Sequence, residues 1–410
     1  MDSSDRGANL KILVLSSLAF SLINFRGRLL EEMRKAGHKV IAVAPDDDPR
    51  VRERLQEMGV SFRIVAMART GMNPISDLGT IRDYVKLIRE ERPDAVIAYT
   101  QKPIIYGGIA CRIVGVSRFY ALMSGLGYLF SEAAAKRRIV RRVFCLLYRS
   151  GLKRAKRVFV FNSDDRADMI AAGIVDESAP VVEVPGSGVD LERFSHAPLP
   201  EWPLRFLMIG RLMRDKGVWE YAEAARLIAS RHPEVRFSLI GRVEHSNPTG
   251  LQDSDVARLE HETPVEIISE TDDIPAFVAD CHVFVLPTYY REGLPRTILE
   301  ALGVGRAVIA TNTPGCRDAI SDGENGFLVA PRNTEKLVEA MEKLIMDSQL
   351  VRQMGARSRA VAEEVYDVRK VNALLMKEME LLDAGQSRAV VHSTGAEDAA
   401  EQPTQPKRAV

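Results

Sequence analysis

The sequence predicts an α/β protein built from two doubly wound, Rossmann-like domains that face each other across a cleft. Three observations predict it. Short β-rich apolar runs alternate with amphipathic segments along nearly the whole chain, the runs are continuously apolar, and the rhythm breaks once, in a Gly- and Pro-rich stretch near the middle. Continuous apolarity marks strands covered on both faces, the condition of a parallel sheet flanked by helices. A chain of 410 residues has room for about two to three such cores.

In the first half the strand candidates are KILVLS, KVIAVAP, SFRIVAM, DAVIAYT, RFYALMS, RVFVFNS and PVVEVP, starting at Lys11, Lys39, Ser61, Asp94, Arg118, Arg157 and Pro180. Amphipathic stretches such as FRGRLLEEMRKAGH and DLGTIRDYVKLIREERP separate them. The run ILVLSSLAFSLI (Ile12 to Ile23) resembles a signal-peptide core, but it has acid-balanced flanks, no small-residue cleavage site and too many serines for a span. It reads as a buried first strand followed by a loop. The stretch EVPGSGVDLERFSHAPLPEWP interrupts the pattern, and LRFLMIG, VRFSLIG, PVEIIS, HVFVLP and AVIAT, starting at Leu204, Val235, Pro264, His282 and Ala307, restart it. The predicted division is a first domain over 1–185, a linker over 186–203, a second domain over 204–366, a C-terminal helix over 367–383 packing back on the first domain, and a disordered tail over 384–410.

Composition narrows the function classes. Basic and acidic residues balance at 56 each, which gives no reason to expect a nucleic-acid partner. Cys111, Cys145, Cys281 and Cys316 are far apart and form no CxxC pair, so they read as buried free thiols of a reducing compartment. The acidic runs PDDDP and DSD sit among prolines and polar residues and read as surface loops, with no metal expected.

Chemistry concentrates in the second half. In LMIGRLMRDKGVWEY a strand runs into a loop holding Gly210, Arg211, Lys216 and Gly217 before a helix. Close-approach glycines, helix-start N–H groups and two cations outline a phosphate site, although exposed basic residues near strand ends are also common. In REGLPRTILE, Glu292 falls in a loop after a strand and Glu300 falls inside the helix that Pro295 opens. Two readings stay open here. Either Glu292 caps the helix and Glu300 is solvated, or both carboxylates accept hydrogen bonds from sugar hydroxyls.

Taken together, GSGVDLERF, GRLMRDKG, REGLPRTILEALGVGRAVIAT and PGCRDAISDGENGFLV resemble the motif set of the retaining glycosyltransferases of family 4, over roughly residues 10 to 383. The resemblance implies the two-domain GT-B fold, with Arg211 and Lys216 on the donor diphosphate, Glu292 on the donor sugar and Glu300 on the nucleotide ribose. It further implies that Gly293, Leu294 and Pro295 set backbone N–H groups beside the sugar and diphosphate, that Thr297 adds a hydroxyl, and that SETDD (Ser269 to Asp273) lies near the base. No metal or other cofactor is implied. The expected donor is a UDP-sugar, with an N-acetylhexosamine or hexose as the sugar transferred.

The first half departs from the family's commonest form, because no Gly-rich loop follows the first strand and glycine arrives only at Gly27. Through NFRGRLL, YTQKPIIYGG, SGLGYLF and FNSDD it resembles the subgroup that elongates undecaprenyl-diphosphate-linked saccharides. That resemblance makes Asn24, Arg26, Lys102, Tyr106 and Gly125 candidates for the acceptor side, and a polyprenyl-diphosphate-linked saccharide the acceptor. The acid-free segment from Ala133 to Phe161 carries Ile139, Val140, Val143, Phe144, Leu146, Leu147 and Leu152 at helical spacing among its cations. Its main stripe reads as core packing, with a peripheral basic contact to anionic membrane or pyrophosphate, which suggests a cytoplasmic protein at the inner face of the cell membrane. Two rival readings are a nucleotide-sugar epimerase of similar architecture and a nucleotide-sugar-binding subunit without catalysis.

Overall fold

The computed structural model describes residues 9–68, 74–127, 138–245 and 247–382. The tail expected over 384–410 lies outside them. The strands are β1 Lys11–Leu15, β2 Lys39–Ala44, β3 Ser61–Ile64, β4 Ala95–Tyr99, β5 Phe119–Leu122, β6 Arg157–Val160 and β7 Val181–Glu183 in the first half. The second half has β8 Arg205–Ile209, β9 Arg236–Ile240, β10 Val265–Ile268, β11 Val283–Leu286, β12 Ala307–Thr311 and β13 Gly326–Val329. Among the described residues they form two sheets, ordered β3-β2-β1-β4-β5-β6-β7 and β10-β9-β8-β11-β12-β13. Every pairing is parallel, for example Leu13 opposite Ile41 and Val285 opposite Ile309. Both orders reverse direction inside the sheet, next to β1 and next to β8, and each reversal opens a crevice at the strands' carboxyl ends.

The helices are α1 Ala19–Lys35, α2 Pro49–Glu57, α3 Pro74–Glu91, α4 Gly108–Val114, α5 Arg138–Leu152 and α6 Ser163–Ala171 in the first half. The second half has α7 Val218–Ala229, α8 Asp253–Glu262, α9 Ile274–Ala279, α10 Arg296–Val304, α11 Cys316–Ala319, α12 Thr334–Met346, α13 Ser348–Val361 and α14 Val368–Glu378. The loop predicted after β1 is shorter than expected, because residues 19–23 belong to α1. Leu18 is extended and offers no side-chain cap, but the Asp46 carboxylate accepts from Ala19 N at 2.9 Å, so a distant acid opens the helix. Asp48 caps α2 in the ordinary way, accepting from Arg50 N at 2.9 Å, so two acids of PDDDP serve helix starts. Strand β13 was not among the strand candidates, because GFLV lacks a long apolar run; it pairs along β12 from Val308 to Thr311.

One apolar cluster fills a face of each sheet and continues between the domains through Val184, Val189, Phe194, Leu294 and Tyr366, while two further clusters fill the outer faces. Helix α14 crosses back to the first domain. Tyr120 Oη donates to Met379 O at 2.7 Å, the His38 ring meets Leu381 O at 2.7 Å, and Lys156 pairs with Glu380 at 2.5 Å. All four cysteines are free, three of them buried. Among the described residues no helix is long and apolar enough to cross a membrane.

Candidate active site

The second domain's crevice lies between the carboxyl ends of β8 and β11, and the sequence supplies Gly210 and Arg211 after one strand and Pro287 to Gly293 after the other. A single turn, Arg214–Lys216, ends at Gly217 with φ of 78°, where a Cβ would stand 2.2 Å from Pro287 O. Only glycine permits that turn at that approach, and the turn carries Lys216 to the loop after β11. There Lys216 Nζ donates to Glu292 Oε1, with the two side chains only 13% and 15% exposed. The N–H groups of Tyr289 and Tyr290 bind Asp215 O at 2.9 and 3.0 Å, so the two loops are tied together. The Tyr290 ring lies 5.7 Å from Lys216 Nζ and 6.0 Å from the Arg211 guanidinium, making one cationic wall.

Pro295 is the N-cap of α10 and has no N–H, so of the three residues expected to donate only Gly293 and Leu294 can, which corrects the expectation for Pro295. The Leu294 side chain is buried, with its Cδ2 2.7 Å from where a Cβ on Gly186 would lie, and Thr297 is half-buried in the first turn. Glu300 is one turn further on, 12% exposed, and accepts from Arg296 Nη2 at 3.2 Å. Burial pushes its carboxyl up, while the Arg296 and Arg193 charges pull it down.

The first domain meets this wall with the carboxyl ends of β4 and β5. Thr100, at a φ of 68°, donates its hydroxyl to Ser17 Oγ at 2.8 Å and bridges the switch point. A cavity of about 270 Å³ lies between the domains. Thr100, Gln101, Ser124 and Gly125 line one side of it, and Arg211, Tyr290, Arg291 and Glu292 line the other. Backbone touches backbone at its base, since a Cβ on Gly125 would lie 2.5 Å from Gly293 N and one on Gly293 would lie 2.6 Å from Ser124 C.

Of the sequence candidates, then, Arg211, Glu292 and Gly125 share one cavity and Lys216 adjoins it. The structure does not bring the other acceptor-side candidates there. Lys102 is buried in an ion pair with Asp77 at 2.9 Å, with the Tyr106 ring 5.9 Å from its ammonium. The Asn24 carbonyl accepts from Arg296 at 2.5 Å and its Oδ1 accepts from Arg193 at 3.3 Å, which puts Asn24 beside the Glu300 end of α10. Arg26 is buried 5.3 Å from the Tyr99 ring and 5.9 Å from Phe161, its pKa pulled down to about 10 by burial and its Nε unpartnered. Sequence reasoning missed Thr100, Gln101, Ser124, Tyr290 and Arg291. Their signal was position, because each follows a strand's carboxyl end within a few residues.

A family model described as "Glycosyl transferases group 1" matches residues 203–347, and one described as "Glycosyl transferase 4-like domain" matches residues 24–185. The chain belongs to the family 4 glycosyltransferases. It is 25% identical over 357 residues to the N,N'-diacetylbacillosaminyl-diphospho-undecaprenol alpha-1,3-N-acetylgalactosaminyltransferase of Campylobacter jejuni, covering 83% of this chain and 91% of that one. It is 27% identical over 289 residues to the UDP-Gal:alpha-D-GlcNAc-diphosphoundecaprenol alpha-1,3-galactosyltransferase of Escherichia coli, covering 67% and 72%. Among solved structures, Anabaena HepE in complex with UDP superposes with a TM-score of 0.72 at 19% identity, over 91% of this chain and 100% of that one, and fixes the fold as GT-B. For a glycosyltransferase the cavity has a clear division of labour. Cations and N–H groups of the second domain can meet a leaving anion, while the first domain forms the facing side.

Proposed function

We propose that the transferase moves a hexose or N-acetylhexosamine from a UDP-sugar to a polyprenyl-diphosphate-linked saccharide, with retention at the anomeric carbon. The observation that carries this reading is the contact of Lys216 with Glu292 beside Arg211, in a cavity whose far wall is Gly125 and Ser124. The Campylobacter and Escherichia relatives, whose names specify undecaprenol-diphosphate acceptors, support the substrate class. As the bond from sugar to diphosphate lengthens, negative charge grows on the leaving oxygen, and Arg211, Lys216 and the Gly293 and Leu294 N–H groups stabilise it more in the transition state than before. Glu292 orients a sugar hydroxyl and forms no covalent bond, Glu300 holds the ribose hydroxyls, and Gly210 lets the backbone approach the diphosphate. The acceptor hydroxyl attacks on the same face through an oxocarbenium-like transition state, its proton passing to the departing diphosphate oxygen as the sugar–oxygen bond breaks, so no protein nucleophile is needed. No metal is assigned a role in this reading.

The same reading includes contact with an anionic bilayer through α5. Its apolar residues divide into two stripes, a division the sequence reading did not anticipate. Tyr148, Gly151 and Leu152 are buried against the domain, whereas Ile139, Val143 and Leu146, at i, i+4 and i+7, are 78%, 44% and 66% exposed. Arg138, Arg142 and Arg149 are exposed along one flank of the outer stripe. An apolar ridge beside a row of cations matches acyl chains beneath anionic headgroups.

The test is a donor screen with membrane lipid extract and mass analysis of the lipid product. A lipid one sugar heavier is expected, and Lys216→Ala or Arg211→Ala should lower kcat/KM by a factor equivalent to about 3 kcal/mol of transition-state stabilisation. Glu300→Gln should weaken UDP binding with folding retained. A donor isomerised with no acceptor required would point to an epimerase, and normal turnover in both cation variants would remove the diphosphate role.

A further inference from the structure

Helix α6 belongs to the first domain and has no part in the chemistry above, yet its first two turns reach across to the loop that carries Glu292. Asn162, fully buried at the N-cap, accepts from Asp165 N at 2.7 Å and gives its Nδ2 hydrogens to Gly293 O at 2.6 Å and, more weakly, to Asp165 Oδ2 at 3.3 Å. Asp168 pairs with Arg291, and the wholly buried Asp165 lies 4.0 Å from the same guanidinium. At the helix start Asp164 pairs with Arg317 at 2.7 Å. Arg317 opens the second domain's short helix beside Gly315, where a Cβ would lie 2.5 Å from Gly293 O. The loop from Arg291 to Gly293 is thus held on both sides, from the first domain by α6 with its N-cap and by Ser124 and Gly125.

We infer that Asn162 and Asp168 are positioning residues for transfer: acting across the domain boundary, they fix the 291–293 loop and therefore the Glu292 carboxylate. The inference rests on the reading that Glu292 serves the donor. Two features separate it from ordinary packing. Capping α6 needs only the Asn162 oxygen, so the donation to Gly293 O is surplus to helix stability. The Asp168–Arg291 pair is partly exposed, at 37% and 23%, where such a pair does little for stability, but it adjoins a residue whose placement sets the rate.

Asn162→Asp in the full-length chain is the discriminating variant. A carboxylate caps a helix as well as an amide does, but it cannot donate to Gly293 O. Asp168→Asn is the second, at a site exposed enough to leave folding intact. Both should lower kcat by about 10- to 100-fold while UDP affinity by calorimetry stays within about 2-fold, and Asp168→Glu should keep most of the rate. Hydrogen exchange across residues 288–296 should quicken in both. Wild-type kcat with unchanged exchange overturns the inference, as does a kcat loss that simply tracks a lower melting temperature. If UDP fails to bind the wild type, the donor reading falls instead, and the exchange comparison still decides whether α6 holds the loop.

Discussion

At the scale of single residues, the site is governed by how few of its charges are free in water. Lys216 and Glu292 neutralise each other at low exposure, and Glu300 leans on Arg296. Each pair keeps a charged group inside the cleft at a desolvation cost that its partner offsets. Asp165 is the less compensated case. Burial raises its carboxyl from 3.8 to about 7, with Arg291 and Asn162 opposing the shift and Asp168 and Asp164 adding to it. The folded chain therefore holds that proton more tightly than the unfolded chain. Stability from this group is complete below the unfolded value and is lost as pH rises through about 7. Asp165→Asn should flatten this component, gaining most relative to wild type near pH 8 and least near pH 4, as read by thermal melts across that range. Parallel pH profiles would refute the assignment. Asp165 stands in FNSDD, but nothing in the sequence distinguishes it from the partly exposed Asp164 and Asp168 on either side.

At the scale of elements, glycines decide how α4 and α5 sit. A Cβ on Gly108 would fall 2.2 Å from Gly151 O, and one on Gly151 would fall 2.8 Å from Ile105 Cα, so the helices cross backbone to backbone. That crossing sets the rotation of α5 and hence which apolar residues are left outside. Gly108→Ala tests it with a clean sign. Alanine favours a helix by about 1 kcal/mol over glycine, whereas forcing these backbones apart costs about 1–3 kcal/mol. Net destabilisation in a denaturant titration is expected, and a stabilised variant would mean the contact is slack. The strands were legible from their apolar runs. The start of α1 was not, since Asp46, which binds the first helical N–H, lies beyond the next strand.

At the scale of the molecule, two sheets face each other with their carboxyl ends toward one cavity, and α14 ties the second domain's terminus to the first domain. The outer stripe of α5 belongs to the same domain as the cavity's Gly125 wall, so a bilayer holding α5 would also hold the lipid of the proposed acceptor near the cleft. Vesicle flotation tests this contact. Binding to phosphatidylglycerol vesicles, weak binding to phosphatidylcholine, and loss of binding on Ile139→Ser with Leu146→Ser are expected, with a further fall on Arg142→Glu. Equal flotation of the variants, or a concentration-dependent dimer that disappears with the same substitutions, would overturn the bilayer assignment.

By itself the sequence determined the layered α/β architecture, the two-domain rhythm and the motifs of the second domain. Those features depend on periodicity and on short-range spacing: a strand, a glycine turn, a cation and an acid within a few residues of a helix start. Only the tertiary structure decided which first-domain residues meet them. Lys102 was drawn to Asp77, Asn24 to the Arg296 end of α10, and Asn162 to Gly293, because such contacts join positions from 25 to more than 250 residues apart. Burial and charge pairing choose among such distant partners once the chain has folded, and no local pattern encodes that choice.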